Sequence, residues 1–368
     1  MRVVFVSMGA ENRASSRLRV YGWLPHLKEC GYRCVVLPYH SVATSQGEGW
    51  LAGQSPRIAA FLGGPSLWRR LAAASQDADW VVFQEVLPPR RVLERLKAGG
   101  VRIGFDFSDP VHLANGPDHK LHHRWVHRLV TLPRFRAMLR IAEWAMIEND
   151  LLRPIVAAAG TRVEALRGPV DSDIYVPRDR PNGDGRVVLG WAGSRGTLPF
   201  LSPLFPTLKR LAAKGLDFEL VVFGVEEPVH VEGVRVRVVP WSLEAEPRVI
   251  AQFDVGLAYL PDTPWTRYRG GAKLILYQSC GVPTIAAPTG IGSQVLRDEE
   301  TGLLAKDLES WEQALERLLI DAELRGRLGA TAREVAVSRY SYRAYLPLYQ
   351  ELLGEPSGSG SESPTPLQ

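Results

Sequence analysis

Arg267, Arg269 and Lys273 surround the pair Gly270 and Gly271 in PWTRYRGGAKLILYQSCGVP, residues 264–283, just ahead of an apolar run. The spacing of Leu274, Tyr277 and Cys280, with Ile275 beside them, predicts a helix that starts near Gly270 to Ala272. The first N–H groups of a helix have no partner within it, and glycine leaves them accessible, so this end suits a phosphate. Arg269 and Lys273 place cations where acidic residues are ordinarily favoured, which a bound anion would account for. A solvated basic loop closed by a glycine turn is the plainer alternative, and the anion site is preferred to it. A second stretch, GWAGSRGTLPFL (190–201), follows an apolar run and leads into a helical pattern. Gly193 and Gly196 let the backbone approach a ligand, Ser194 and Thr197 offer hydroxyls, and Arg195 offers a charge. It matches neither the Walker pattern nor GxGxxG, and geometry alone puts glycine in most such turns. Two anion-friendly turns at the strand ends of one domain nevertheless point to a nucleotide diphosphate.

Nearer the start, FDFSDPVH (105–112) sets Asp106, Ser108, Asp109 and His112 after a strand-like run. Asp106 and Asp109 suit sugar hydroxyls or a base, and His112 a hydrogen bond to substrate; Asp109 before Pro110 is equally turn chemistry. In GAENRASSRLR (9–19), Arg13 and Arg17 can face a cleft, while Ser15 and Ser16 read as helix caps. DHKLHHRWVHRLVTLPRFRAMLR (118–140), with His119, His122, His123 and His127, reads first as a solvated basic face, and second as an acceptor groove or anionic-lipid contact. No metal site is expected there, nor at Asp171-Ser172-Asp173, which reads as loop.

The elements that must position these residues follow from periodicity. RVVFVS (2–7), RCVVLP (33–38), DWVVFQ (79–84) and VRIGFDF (101–107) are continuous apolar runs, separated by a helical pattern through Leu18, Tyr21, Leu24 and Leu27 and by RRVLERLKAG (90–99). Such runs divided by helices predict parallel strands covered on both faces. PRDRPNGDGR (177–186) reads as a linker, after which RVVLGWAG, FELVVFG, VRVRVVP, FDVGLAYL and VPTIAAP predict further strands, with FLSPLFPTLKRLAAKG as a helix between the first two. The expected fold is α/β, with two Rossmann-like βαβ domains, 1–176 and 187–340, facing across a cleft. A helix at 341–354 packs back on the first domain, and the polar tail 355–368 is disordered. Open α/β sheets bind ligands at the carboxyl ends of their strands, which here face the cleft.

Composition bounds the rest. With 368 residues, 45% apolar and 23% charged, the chain can bury two cores, and no apolar run approaches the roughly 20 residues of a membrane span. MRVVFVSMG runs into charged AENRASSR without a signal-peptide pattern, so a soluble, cytoplasmic protein is expected. Cys30, Cys34 and Cys280 form no CxxC pair and read as reduced, structural residues. A net charge of +4 and a pI near 9.0 allow an anionic ligand, an acidic membrane surface or nucleic acid. Nucleic acid is set aside because the basic residues are not interleaved with aromatics on one module.

Taken together, these segments resemble, to about residue 353, the retaining glycosyltransferases of two-Rossmann-lobe (GT-B) fold grouped as glycosyltransferase family 4. PWTRYRGGAKLILYQSCGVPTIAAPTGIGSQVLRDEETGLLA is similar to the family's donor segment, and GWAGSRGT to the glycine loop opening its second domain. ENDLLRPIVAAAGTRVEALRGPVDSDIY is similar to its passage towards the interdomain linker, and FDFSDP to a DxDD variant with Ser108 in place of an acid. The resemblance implies that Arg269 and Lys273 hold a donor diphosphate lined also by Gly193, Ser194, Arg195, Thr197, Tyr268, Gly270 and Gly271, with Trp241 against the base. Where many relatives carry a Glu-x7-Glu pair, the second glutamate anchoring the donor ribose, this chain has Tyr268 and Leu276; Gln278, two residues on, is turned about 200° around the helix. The implied reaction moves a sugar from a nucleotide-diphosphate donor to a hydroxyl of a glycan, lipid-linked or small-molecule acceptor, with retention. Arg269 and Lys273 would stabilise the leaving group, and Asp106, Asp109 or His112 would orient the acceptor. No cofactor or metal is expected, the nucleotide sugar being a substrate; peripheral contact with an anionic membrane at its inner face is the minority reading of the basic stretch. A same-fold sugar-nucleotide epimerase or hydrolase, or a noncatalytic carbohydrate-binding protein, is the alternative.

Overall fold

The computed structural model describes residues 1–40, 66–113, 125–179 and 185–356. Two wholly parallel six-stranded sheets organise them. The first holds β1 (Arg2–Ser7), β2 (Arg33–Pro38), β3 (Trp80–Gln84), β4 (Arg102–Phe107), β5 (Trp144–Ile147) and β6 (Arg162–Ala165), in the order β2-β1-β3-β4-β5-β6. The second holds β7 (Val187–Ala192), β8 (Phe218–Phe223), β9 (Arg235–Val239), β10 (Val255–Ala258), β11 (Thr284–Ala286) and β12 (Gly302–Leu304), in the order β12-β11-β10-β7-β8-β9. Strand order reverses between β1 and β3 in one sheet and between β7 and β10 in the other. Connections leave in opposite directions at such a switch point, opening a crevice at the carboxyl ends.

The central strands are buried on both faces, as their continuous apolar runs require: β3 is buried throughout, and so is β1 beyond its half-buried first residue. Helices supply the cover. Leu93 and Leu96 of Arg90–Ala98 and Phe135, Met138 and Leu139 of Leu132–Ile141 pack into the first core. Leu208 and Leu211 of Phe205–Ala213 and Trp311, Leu315 and Leu318 of Leu308–Ile320 pack into the second.

Three strands escape the periodicity reading. WAMI (β5) follows the apolar helix LPRFRAMLRI with only Ala142 and Glu143 between them, RVEA (β6) is a half-buried edge, and GLL (β12) is three residues long. The single helix expected over FLSPLFPTLKRLAAKG is corrected. Leu198–Phe200 and Ser202–Leu204 are separate 3-10 turns and only Phe205–Ala213 is α-helical, because Pro199, Pro203 and Pro206 each remove an N–H and restrict the turn before them. Residues 180–184 of the expected linker, the histidines 119, 122 and 123, and 357–368 of the expected tail lie outside the described residues.

The helix Tyr342–Leu353 follows the second sheet in sequence yet packs on the first, reached through a bridge between Val170 and Ser341. Trp23 sits between Tyr342 and Tyr349, with ring centroids 4.9 and 4.4 Å away. The Trp80 indole N–H donates to the Leu353 carbonyl at 2.6 Å, and the Tyr342 hydroxyl to that of Leu18 at 2.8 Å. No helix among the described residues is long and apolar enough to cross a membrane. Trp23→Ala should lower unfolding free energy by about 3–5 kcal/mol in urea titration, since the ring is fully buried; a loss below about 1 kcal/mol would contradict the packing of this helix on the first lobe.

Candidate functional site

The two switch points face one another across a cavity of about 610 Å³. From the second lobe it is lined by Gly193, Ser194 and Thr197 after β7, by Trp241 and Glu246 after β9, and by Arg269, Gly270, Gly271 and Lys273 after β10. From the first lobe come Arg13, Ser15 and Arg17 after β1, Glu85 after β3, Ser108 and Asp109 after β4, and Glu148 after β5.

The helix Ala272–Ser279 begins where its spacing predicted, with Gly271 as its N-terminal flank and no side chain of its own capping it. The cap comes from the other lobe. Gly271 N–H donates to Glu148 Oε1 at 2.8 Å, and a Cβ on Gly270 would overlap the same carboxylate, so only glycine permits this approach. Next to it, Asn149 Nδ2 donates to the carbonyls of Arg267 (2.8 Å) and Arg269 (3.1 Å), and its Oδ1 accepts from Gln294 Nε2 at 2.9 Å. The Asp150 N–H donates to Gln294 Oε1 at 3.0 Å. The basic loop and the helix start are thereby held from both sides.

Behind Glu148 lies a buried charge network. Arg19 Nε donates to Asp106 Oδ1 at 2.7 Å, its Nη1 to the Leu166 carbonyl at 2.8 Å, and Nη1 stands 3.7 Å from Glu148 Oε2. Burial raises the Glu148 carboxyl, against the pull of Arg19 and the Gly271 N–H. Asp106 is likewise pushed up by burial, to about 6, although Arg19 opposes the shift. Glu85 holds a left-handed φ of 58° at the end of β3, an uncommon backbone state outside glycine that recurs at functional sites. Its carboxylate accepts from the hydroxyls of Ser15 (3.2 Å) and Ser108 (2.5 Å).

On the opposite wall the cations are poised over rings. Lys273 Nζ lies 4.7 Å from the Trp191 ring centroid, and Arg269 stacks 4.6 Å over Trp265. Desolvation, and then the Arg269 charge, bring the Lys273 ammonium down to about 7. Arg269 Nε is 3.8 Å from Asp109 Oδ1, and burial together with Glu85 raises the Asp109 carboxyl. Ser194 N–H and Thr197 Oγ1 bond to each other at 3.0 Å, closing the loop after β7 around Gly193, whose Cβ would overlap the Trp191 ring.

Four of the residues expected in the site do not line the cavity. Asp106 is fully buried behind Arg19. Arg195 turns outward to Glu227 at 2.9 Å and is 87% exposed. His112 and Tyr268 meet edge-to-face at 4.7 Å, a contact between lobes, and desolvation followed by His127 lowers the His112 pKa. Leu276 does line the cavity, whereas Gln278 points to the Val295 carbonyl, as its rotation around the helix requires. Glu148, Asn149, Arg19 and Glu246 were not legible as site residues. A strand before Glu148 would have marked it as a strand-end acid, and β5 was the strand missed.

Two Rossmann-like lobes with facing switch points are the GT-B architecture, and solved structures bear this out. Over 96% of this chain and 99% of theirs, it superposes on sucrose-phosphate synthase from Thermosynechococcus elongatus (TM-score 0.70, 16% identity) and on HepE of Anabaena in complex with UDP (TM-score 0.67, 12% identity). Residues 194–321, the part carrying the basic loop, match the family described as glycosyl transferases group 1. A D-inositol 3-phosphate glycosyltransferase of Saccharomonospora viridis is 37% identical over 91 residues, 23% of this chain and 21% of that protein, so the match spans about a fifth of that relative.

The contact between lobes makes its own prediction. In a double-mutant cycle, Gly270→Ala and Glu148→Ala should be non-additive in unfolding free energy by about 1 kcal/mol or more, because the added methyl is tolerated only without the carboxylate. Additivity within about 0.5 kcal/mol would show that the two do not touch.

Proposed function

We propose that this chain is a retaining, metal-independent glycosyltransferase that transfers a sugar, hexosyl or related, from a nucleotide-diphosphate donor to an acceptor hydroxyl. The observation that carries the reading is the meeting of Lys273, Arg269 and the helix start at Ala272 with the Gly193 loop, at the switch point of the second sheet. Cleaving the bond to the sugar puts negative charge on the leaving diphosphate. Fixed cations and N–H groups in a site screened from water favour that state over the ground state. Arg269 and Lys273 supply the countercharge a metal would otherwise bring.

First-lobe carboxylates at the same cavity suit sugar hydroxyls. Asp109, whose carboxyl is raised by burial and by Glu85, can accept from an acceptor hydroxyl, and front-face transfer asks for no stronger base. Asp106 acts at one remove, through Arg19. Because HepE binds UDP, a uridine nucleotide heads the donor screen. The acceptor class, glycan, lipid-linked or small molecule, is read only from the first lobe's open side. Trp125 and Leu129, 59% and 67% exposed beside Arg128, support a peripheral membrane contact of the kind a lipid-linked acceptor would use.

Incubation with a labelled nucleotide sugar and a panel of acceptors, followed by proton NMR of the product's anomeric coupling, tests the reaction. Retained configuration is expected; an inverted product, or release of free sugar alone, contradicts it.

The lysine gives a second test. A diphosphate binds the ammonium form, so it raises a pKa that sits near 7 in the free protein. At pH 8 the free lysine is mostly neutral, so binding should take up a large part of one proton, while affinity falls as pH rises from about 7.5 to 9. Calorimetry in two buffers of different ionisation enthalpy measures the uptake, and Lys273→Met should abolish it. Equal heats in both buffers would remove Lys273 from the diphosphate site.

A further inference from the structure

Arg17 is another first-lobe side chain that crosses the cleft, and its bonding is incomplete. Its side chain is 7% exposed, and Nη2 donates to Glu246 Oε2 at 2.6 Å. Nε and Nη1 are buried with no hydrogen-bond partner among the described residues. A guanidinium cannot shed its charge, and each buried N–H left unbonded carries an uncompensated desolvation penalty. Glu246 also accepts from the Trp241 indole at 3.0 Å and from the Tyr175 hydroxyl, and as placed it bonds to neither of these two nitrogens.

The backbone does not let Arg17 withdraw. It opens the π-helical segment Arg17–Tyr21, a local form frequent at functional sites. The Leu18 carbonyl is held by Tyr342, and the Leu18 side chain packs among second-lobe residues including Ala192 and Phe223. A Cβ on Gly22 would overlap the Tyr342 hydroxyl, so the segment is seated tightly from behind. Arg17 therefore stays among the residues that line the cavity, its guanidinium 5.0 Å from the Trp241 ring centroid.

Position identifies what they meet. Trp241 and Glu246 follow β9, two strands from β7, whose end carries the Gly193 loop. At about 4.8 Å per strand the separation is roughly 10 Å, the reach from a diphosphate to its nucleoside. We propose, resting on the donor reading above, that Arg17 is a ligand-binding residue whose free N–H groups take an oxygen of the nucleoside half of the donor, a base carbonyl or a ribose hydroxyl. Offering donors only, it selects for an acceptor atom at that point. The nucleotide is then gripped by both lobes, by Lys273 at the diphosphate and by Arg17 at the nucleoside.

Calorimetry with UDP, GDP, ADP and inorganic pyrophosphate on the wild type and on Arg17→Lys, which keeps a charge for Glu246, tests this. The best nucleoside diphosphate should lose about tenfold or more in affinity, while pyrophosphate changes less than about twofold. The 2′-deoxy form of that nucleotide separates the sources. Tenfold weaker wild-type binding of it assigns the ribose hydroxyl, and equal binding with loss of base discrimination in the variant assigns the carbonyl. If Arg17→Lys fails to fold, the pair Arg17→Met with Glu246→Gln replaces it. Equal losses for pyrophosphate and nucleotide would make Arg17 a phosphate ligand, and no loss for either would make it only a tie between lobes; both overturn the assignment. Wild-type protein that binds no nucleoside diphosphate at all would instead sink the donor reading itself.

Discussion

The carboxylate of Glu148, placed by the first lobe against the Gly271 N–H of the second, is the contact on which the geometry of the cleft depends. It caps a helix that has no cap of its own, and it does so only because residue 270 lacks a Cβ. Such a carboxylate could not be buried alone. Arg19 stands behind it, itself neutralised by Asp106, so three buried charges form one network rooted in the ends of β4 and β5 and the helical turn after β1. Buried pairs of this kind add little net stability, yet removing one member leaves an uncompensated charge, which typically costs about 3–5 kcal/mol. Their effect is to fix where the lobes meet.

From that junction the rest of the site follows. Asn149 and Gln294 hold the loop that carries Arg269, and the loop sets Lys273 in the first turn of the helix, over Trp191. Packed there with no carboxylate partner among the described residues, the lysine is pushed down to about 7 by desolvation, and a diphosphate would restore its ammonium form. The first lobe thus shapes the second lobe's wall of the cavity as well as its own. A nucleotide in this cavity would meet charge from both sides, and closure of the lobes would exclude the water that hydrolyses a donor.

Much of this architecture was legible in the sequence because central parallel strands buried on both faces read as apolar runs, and nine of the twelve strands were visible as apolar-rich segments, β9 by its Arg/Val alternation. The helix start at Ala272 was legible from apolar spacing and two glycines. What escaped was non-local. Four-residue β5 is nearly continuous with the apolar helix before it, so nothing near Glu148 announced a strand end. Asp106 and Arg195 had the right chemistry and adjacent positions in the chain, but the side of the strand and the direction of the loop decided against them. Glu148 acquires meaning only through a partner 123 residues away, and Arg17, legible as able to face the cleft, through one 229 residues away that no local pattern encodes.

The central claim is that a nucleotide diphosphate lies between the lobes on the Lys273 helix start. A crystal structure of the protein with a nucleoside diphosphate tests it most directly. The account predicts the terminal phosphate within hydrogen-bond distance of Lys273 Nζ and the Gly193–Ser194 backbone, with the nucleoside directed towards Trp241. A nucleotide bound at the β1–β3 switch point of the first lobe, or one whose phosphates leave Lys273 untouched, would contradict it.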